Sequence, residues 1–268
     1  FLSAGSHKPQ AEMINGEIIY NEAYGPHRRN KMDVYLPANR NIGTPTVILI
    51  HGGAWIIGSK SQWQKEIING ILKEGYAVSC INYRYACGDF HKQMEDVQMA
   101  VGYINANSHK WNIGKNKFGL AGMSAGGHLS LLYAYAYDTA RVTKAVVSIV
   151  GPTDLTDSLF HRYAKSYGIG FVFKRFLGVS FKKSPEVYAN ASPLFHYSNV
   201  PTLFINGTRD DLVPPSQGLR MYDTLVAHGI AADTLLFDNA GHNVWGPQKV
   251  NTSKIITELN HWMKTYLH

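Results

Sequence analysis

Cysteine is scarce in this chain of 268 residues, which contains only Cys80 and Cys87. Two cysteines cannot form a disulfide framework, and no second Cys or His pair gives them the spacing of a zinc site. Long apolar runs are missing as well, since no stretch approaches the roughly 20 residues that cross a bilayer. We therefore expect no metal and no membrane span, with Cys80 packed inside a strand.

Runs of one charge sign are also absent. The chain carries 26 Lys and Arg against 19 Asp and Glu, a net charge of +7, but the basic residues are scattered and form no nucleic-acid motif. We interpret the charge as a solvated surface and expect no nucleic-acid partner.

Nothing in the sequence divides the chain into separate units. It has no internal repeat, low-complexity segment or linker, and its 45% hydrophobic content can supply a large core. We therefore expect one domain over residues 1–268. The chain begins at Phe1 without Met, so a removed signal peptide and simple trimming both stay open, and we favour a secreted or periplasmic location over a cytoplasmic one.

Short apolar runs recur from Thr46 onward, as is typical of parallel strands buried on both faces. Six are present: TVILI (46–50), AVSCI (77–81), KFGLA (117–121), KAVVSIV (144–150), TLFING (202–207) and DTLLF (233–237). Before them, residues 17–36 predict an antiparallel hairpin at a sheet edge, ended by Pro37.

Helical spacing lies between these runs. Met94, Val97, Val101 and Ile104 repeat at helical intervals, and GGHLSLLYAYAY contains strong helix formers. The alternation predicts an α/β fold with a mostly parallel central sheet and helices on both faces. Ligands of such sheets bind beyond the carboxyl ends of the strands.

The segment GMSAG, residues 122–126, follows one predicted strand and precedes a predicted helix. Such a pattern alone is weak evidence, but this setting is that of a nucleophile elbow, which presents a serine on a strained turn at a helix N-terminus. Gly122 and Gly126 are suited to it, because larger side chains two residues from Ser124 would collide.

A serine hydroxyl needs a base and an orienting acid to become a nucleophile. Asp210 and Asp211 follow one predicted strand, and His242 follows the next, so the order Ser124, Asp, His242 is that of an α/β-hydrolase triad. Three other histidines are interpreted as packed or surface residues: His128, His161 and His196.

A third loop, ILIHGGAWIIG at residues 48–58, follows the first buried strand. Its glycine pair lets backbone N–H groups approach a substrate oxyanion. A plain Gly-Gly turn is the simpler explanation of this loop taken alone, but three loops that agree favour a catalytic site.

Five motifs together resemble the α/β-hydrolase superfamily: HGGAW, NYRYA, GMSAGGHLS, GTRDDLVP and NAGH. Within it, the chain is similar to the esterase and lipase group, with feruloyl- or acetyl-xylan-esterase-like and hormone-sensitive-lipase-like members. The resemblance runs from about Gly43 to the C-terminal helix. It implies an α/β-hydrolase fold with a small helical cap insertion.

The resemblance implies a catalytic triad of Ser124, Asp210 and His242. The family's Gly-x-x-Asp pattern points to Asp210, whereas Asp211 matches no family position and is interpreted as structural or exposed. Asp96 is interpreted as structural. No metal or organic cofactor is implied.

The implied oxyanion donors are the N–H groups of Gly53, Ala54 and Ala125. Ala54 stands where the hormone-sensitive-lipase pattern has a third glycine, and HGGAW is more familiar from the carbohydrate-esterase-like branch. Trp55 and Trp245 adjoin the oxyanion and histidine loops and are candidate substrate contacts.

Residues 151–200 are long for a connection between two strands and lie at the expected cap position. They interleave aromatic and basic residues: Phe160, Arg162, Tyr163, Lys165, Tyr167, Phe171, Phe173, Lys174, Arg175 and Phe176. A lid with an aromatic wall and a small helical subcore with a basic outer face both explain this composition.

These features imply a serine esterase that acts on short-acyl or carbohydrate-linked acetyl or feruloyl esters. A prolyl-oligopeptidase-like peptidase, an arylformamidase and a non-catalytic binding module stay open as alternatives. Ala125 argues against the peptidase, because those enzymes commonly carry a bulky aromatic residue after the nucleophile.

Overall fold

The central feature is a sheet of eight strands in the order β1-β2-β4-β3-β5-β6-β7-β8. The computed structural model describes residues 16–267, so Phe1 and the expectations tied to it lie outside the described residues. The strands are Gly16–Ala23 (β1), Lys31–Pro37 (β2), Thr46–Ile50 (β3), Ala77–Ile81 (β4), Phe118–Met123 (β5), Thr143–Ile149 (β6), Thr202–Gly207 (β7) and Ala232–Phe237 (β8).

The pairing confirms the fold class that the sequence predicts. From β4 through β3 to β8 every neighbouring pair is parallel, while β1 and β2 form an antiparallel hairpin at one edge. Strand β2 joins this hairpin to β4 in antiparallel register. Three predicted strands are shifted at their ends by one or two residues, since β5 runs on to Met123, β6 begins at Thr143 and β8 begins at Ala232.

Helices cover both faces of the sheet. They are Lys65–Lys73 (α1), His91–Ala106 (α2), Ser108–Trp111 (α3), Ala125–Leu132 (α4), Ser158–Ser166 (α5), Phe171–Leu177 (α6), Pro185–Asn190 (α7), Ser216–Ala227 (α8) and Thr252–Tyr266 (α9). The predicted helix after the serine ends earlier than expected, because residues 133–137 widen into a π-helical turn in which Asp138 N–H reaches the Tyr133 carbonyl at 2.8 Å.

Alternating strand residues divide the core into two layers. Ile48 and Ile50 of β3 pack with α2, α4 and α8, whereas Val47 and Leu49 pack with α1 and α9. Both layers are apolar, which explains why the parallel strands read as continuous hydrophobic runs. Cys80 is buried in β4, as predicted. Within residues 16–267 no helix has the length and apolarity needed to cross a bilayer.

Residues 151–200 contain the three helices α5, α6 and α7. Phe160, Phe173 and Phe176 are buried in the layer that contains α4. The basic residues of α5 and α6 face solvent: Arg162, Lys165, Lys174 and Arg175. The segment therefore has an apolar inner face and a basic outer face.

The turn from β5 to α4 is packed so tightly that its glycines lie directly against backbone atoms. A Cβ added at Gly126 would lie 2.1 Å from the Ile50 carbonyl oxygen. A Cβ at Gly122 would lie 2.1 Å from the Gly126 carbonyl oxygen. Only glycine fits at these two positions, because backbone atoms cannot turn away from a clash as a side chain can.

His128 of α4 joins three parts of the fold. Its Nδ1 accepts the indole N–H of Trp55 at 3.3 Å, so Nε2 carries the proton and donates to the Ala191 carbonyl at 2.7 Å. Neutral imidazole satisfies both hydrogen bonds. Burial lowers the pKa of His128 to about 4, so the ring stays neutral near pH 7.

Gly122→Ala is expected to destabilise the protein severely, because the added Cβ meets the Gly126 carbonyl group at 2.1 to 2.3 Å. Overpacking against rigid backbone should lower Tm by at least about 10 °C or prevent folding. Thermal unfolding followed by circular dichroism measures the effect.

Gly102→Ala is the matched control. Gly102 is exposed in α2, and a Cβ there would meet nothing within 4 Å. Alanine is favoured over glycine inside a helix by roughly 0.5–1 kcal/mol, so Tm should rise by about 1–4 °C. A Gly122→Ala protein as stable as wild type would contradict the packing described here.

Stability is also expected to fall between about pH 6.5 and pH 4. The unfolded chain protonates His128 near its ordinary pKa of 6.5, whereas the folded chain resists protonation down to about 4. The unfolded state therefore binds more protons in this window, and His128 should remove about 2 kcal/mol from the free energy of unfolding between pH 7.5 and 5. Urea unfolding at both pH values should show that the free energy of unfolding falls less in His128→Gln than in wild type. Equal losses in the two proteins would contradict the assignment of this pH dependence to His128.

Candidate active site

Ser124 lies between β5 and α4 in a conformation that L residues rarely adopt, with φ 53° and ψ −119°. Its N–H donates to the Ile149 carbonyl at 2.8 Å, and its own carbonyl accepts the N–H of His128 at 3.0 Å. The backbone is thus fixed on both sides. The side chain stands at the N-terminus of α4, where negative charge is favoured.

The structure brings Ser124, His242 and Asp210 together from three separate loops. Ser124 Oγ lies 3.0 Å from His242 Nε2, and His242 Nδ1 lies 2.8 Å from Asp210 Oδ2. The other oxygen of Asp210 accepts the N–H groups of Leu212 at 3.0 Å and Val213 at 2.8 Å. The carboxylate is buried and fully oriented, so His242 Nδ1 donates to it and Nε2 is left to accept the serine proton.

Asp211 lies apart from this chain of hydrogen bonds. It is exposed, and Tyr167 O–H donates to its carboxylate. Asp96 also takes no part in it, since this residue is buried and forms an ion pair with Arg84 at 2.9 Å. Of the two adjacent aspartates, only Asp210 reaches His242.

The loop of residues 51–58, which we call the 51–58 loop, has positive φ at three consecutive positions, two of them non-glycine residues in a rarely adopted conformation. Gly53, Ala54 and Trp55 have φ values of 114°, 49° and 62°. The loop folds back on itself, with the Gly53 carbonyl accepting the N–H groups of the third and fourth residues beyond it at 3.0 Å each. A Cβ at Gly53 would lie 2.2 Å from the Ile57 carbonyl oxygen, so this tight return requires glycine.

The N–H groups of Gly53, Ala54 and Ala125 take no part in the hydrogen bonds formed among the described residues. The 51–58 loop passes close over Ser124, since a Cβ at Gly52 would lie 3.4 Å from Ser124 Cβ. Ala125 is the first residue of α4, whose N–H has no partner within the helix. The three predicted donors therefore have no partner among the described residues, and Ala54 and Ala125 line the same cavity as Ser124.

Beside Ser124 lies a small apolar cavity of about 30 Å³. Its lining comprises Ala54, Trp55, Ser124, Ala125, Pro152, Phe160, Ala164, Ile169, Val172, Phe173, Leu212 and Val213. Trp55 is 2% exposed and stacks on Phe176 with ring centres 4.5 Å apart. Sequence reasoning singled out Trp55 and the aromatic residues of α5 and α6, but the aliphatic lining carries no signal that separates it from ordinary core.

Trp245 occupies a different environment from Trp55. Its indole N–H points to Met123 Sδ at 3.4 Å, and it packs in the core layer of α1 and α9. It is not among the residues that line the cavity. Trp245 thus contacts Met123, the residue before Ser124, from the opposite layer. Across residues 16–267, no group of three or more His, Cys, Asp or Glu side chains is arranged to hold a metal ion.

The sequence of this chain is similar to those of known esterases. The chain is 25% identical over 273 residues to the probable isoprenylcysteine alpha-carbonyl methylesterase ICMEL1 of Oryza sativa subsp. japonica, covering 92% of this chain and 62% of that protein. It is 28% identical over 197 residues to the esterase LipC of Mycobacterium tuberculosis, covering 68% of this chain and 48% of the relative. The chain thus spans about half to three fifths of the length of these relatives.

A solved structure described as a truncated form of carbohydrate esterase from gut microbiota has a TM-score of 0.78 at 23% identity, covering 95% of this chain and 100% of the other. This likeness shows that the two share a fold, and the fold is that of the α/β-hydrolases. The family pattern named BD-FAE matches residues 32–225, a span that includes the nucleophile turn and Asp210. Since this match covers well over half of the chain, the protein belongs to the BD-FAE family of the α/β-hydrolase superfamily.

Proposed function

We propose that the protein is a serine hydrolase that cleaves carboxylic esters with a short acyl group. The observation that carries this proposal is the hydrogen-bonded chain from Ser124 Oγ through His242 to Asp210, with distances of 3.0 and 2.8 Å. Such a chain on a strained strand-to-helix turn is the arrangement that makes serine a nucleophile.

In acylation, His242 Nε2 takes the proton of Ser124 Oγ as the oxygen attacks the ester carbonyl. Asp210 holds the imidazole ring in the required tautomer and stabilises its positive charge. The N–H groups of Gly53, Ala54 and Ala125 stabilise the oxyanion. His242 then gives the proton to the departing alcohol, and it later activates a water molecule that releases the acid.

The cavity supports a small acyl group. It adjoins Ser124 and the proposed oxyanion donors, its other lining is apolar, and its volume is only about 30 Å³. That volume accommodates about two water-sized groups. Such a space suits acetyl or propionyl better than a feruloyl ring. Among the carbohydrate-linked esters we therefore favour acetyl esters.

The alcohol side of the ester has more room. His242 has a quarter of its side chain exposed, and Asn243 beside it is exposed. A bulky alcohol such as a sugar can lie on this open side while the acyl group enters the cavity. The chain's relatives include a probable methylesterase and an esterase, and one of its structural neighbours is described as a carbohydrate esterase. Their shared ester chemistry supports the proposal.

We further propose that the whole chain acts as one catalytic domain and that residues 151–200 form its cap. Phe160, Ile169 and Phe173 come from this segment and wall the cavity. The cap thus limits the acyl group, and its basic residues face outward.

Ser124→Ala is expected to lower kcat on p-nitrophenyl acetate by at least about 10⁴-fold, because it removes the nucleophile. Asp210→Asn should lower kcat by about 10³- to 10⁴-fold through loss of the correct imidazole tautomer. Circular dichroism should show that both variants remain folded.

Asp211→Asn is the matched control for Asp210→Asn, because Asp211 is exposed and contacts Tyr167 instead of His242. It should keep kcat within about two-fold of wild type, as expected of a change outside the triad. Equal losses in the two variants would contradict the assignment of Asp210.

Wild-type turnover of aminoacyl-proline or N-formyl anilide substrates in place of esters would favour the peptidase or formamidase alternative.

The acyl chain preference is expected to follow the cavity. Wild type should hydrolyse p-nitrophenyl acetate with a kcat/KM at least about 10-fold above that for octanoate. Ile169→Ala should raise the octanoate-to-acetate ratio of kcat/KM by about 10-fold, because it opens the wall beside Val172.

Phe171→Ala is the control for the cavity. Phe171 belongs to the same segment but is 57% exposed and does not line the cavity. It should leave the octanoate-to-acetate ratio unchanged within about two-fold, as expected of an exposed substitution. A wild-type enzyme that prefers octanoate would show that the cap opens and that the cavity does not set the substrate.

A further inference from the structure

Arg29 lies in the turn between β1 and β2, nearly a hundred residues before Ser124 in the sequence, yet it contacts the 51–58 loop. Its Nε–H donates to the Tyr83 carbonyl at 2.7 Å, and Nη2 donates to the Gly58 carbonyl at 3.0 Å. The guanidinium also lies over the Tyr85 ring, 3.7 Å from its centre. Within residues 16–267 Arg29 forms no ion pair, so its donors serve backbone and ring groups.

The remaining contact of Arg29 is with His51. Arg29 Nη2 lies 3.3 Å from His51 Nε2, and guanidinium can only donate, so Nε2 must be the acceptor nitrogen of the ring. His51 Nδ1 therefore carries the proton and donates to the Gly52 carbonyl at 2.6 Å. The ring is held in place by stacking on Tyr83, with centres 4.2 Å apart.

The Gly52 carbonyl and the Gly53 N–H belong to the same planar peptide group and point in opposite directions. Fixing the carbonyl therefore fixes the direction of the N–H. This peptide precedes Gly53 and Ala54, which both have positive φ, and no backbone N–H of residues 16–267 donates to the Gly52 carbonyl, so side-chain donors hold it. His51 Nδ1–H makes the shorter side-chain hydrogen bond to this carbonyl, at 2.6 Å, and the Tyr83 hydroxyl reaches it at 3.5 Å.

We propose that Arg29 is a positioning residue for the oxyanion hole, acting through the tautomer of His51 and the Gly52–Gly53 peptide. The inference rests on the proposed function, since Gly53 N–H is one of the proposed oxyanion donors. Arg29 touches no reacting atom. Its effect is to keep His51 as a donor to the Gly52 carbonyl, which holds the Gly53 N–H towards the substrate oxygen.

Burial and the adjacent guanidinium both keep His51 neutral. Burial lowers the pKa of His51 to about 4, the positive charge of Arg29 acts in the same direction, and the Gly52 hydrogen bond opposes them. The neutral ring has two tautomers, and Arg29 selects between them. Without Arg29, the tautomer with the proton on Nε2 becomes accessible and would turn a lone pair towards the Gly52 carbonyl.

The test is Arg29→Met, which keeps the side-chain stem and removes every donor. Loss of a whole oxyanion donor costs about 10²- to 10³-fold in kcat, so a loosened donor should cost about 10- to 100-fold, with KM within about two-fold. The Ki of a trifluoromethyl ketone, which forms a tetrahedral oxyanion with the serine, should rise by the same factor as kcat falls. A purely structural loss of active protein would lower kcat without changing Ki.

Arg28→Met is the matched control, because Arg28 is the preceding residue and is exposed. It should change neither kcat nor Ki.

A second test uses His51→Asn, whose side-chain amide can donate to the Gly52 carbonyl whether or not Arg29 is present. In that background Arg29→Met should change kcat by less than about three-fold, because coupled residues are non-additive.

Three results would overturn the proposal: a folded Arg29→Met enzyme with kcat within two-fold of wild type, an unchanged Ki despite lower kcat, or full additivity with His51→Asn. If Arg29→Met does not fold, the tautomer of His51 in the wild-type enzyme decides, measured by ¹⁵N NMR of the imidazole ring. His51 should carry its proton on Nδ1 and none on Nε2, and a proton on Nε2 would refute the role of the Arg29 contact. Failure of the proposed function itself would appear separately, as wild-type ester hydrolysis that does not depend on Ser124.

Discussion

The contact between the β5–α4 turn and the end of β3 is the constraint on which the site depends. Gly126 lies so close to the Ile50 carbonyl that a single Cβ would come within 2.1 Å of it. The turn between β5 and α4 must therefore be sharp, and Ser124 takes the positive φ that this turn requires. The strain at Ser124 is sustained by the buried parallel strands on either side, β3 and β6, which hold the turn at its backbone.

The order of the sheet converts this local strain into a chemical site. Strand β5 has β3 on one side and β6 on the other, and β7 and β8 follow in order. Because all of these strands are parallel, the loops after them meet at one edge of the sheet. The 51–58 loop, Asp210 and His242 therefore converge on Ser124, although they are far apart in the sequence.

The structure places residues of the same type, in similar sequence settings, in different surroundings. Asp210 and Asp211 are adjacent, but only Asp210 is buried with its carboxylate against His242. Trp55 and Trp245 both adjoin functional loops, but Trp55 faces the cavity while Trp245 packs in the opposite core layer. The distinction in each case depends on the side of the strand or turn from which the side chain emerges.

The sequence by itself determined the α/β class, the six later strands to within one or two residues at their ends, the antiparallel hairpin before them, and the elbow glycines. Buried runs, helical spacing and close backbone contacts each restrict residue type locally. It also identified Ser124, Asp210 and His242 as the candidate triad by order and motif. Only the tertiary structure decided the aliphatic lining of the cavity and the contact of Arg29 with His51. Apolar side chains look alike wherever they are buried, and an arginine in a hairpin turn carries no pattern that names its partner, so both depend on how distant elements pack.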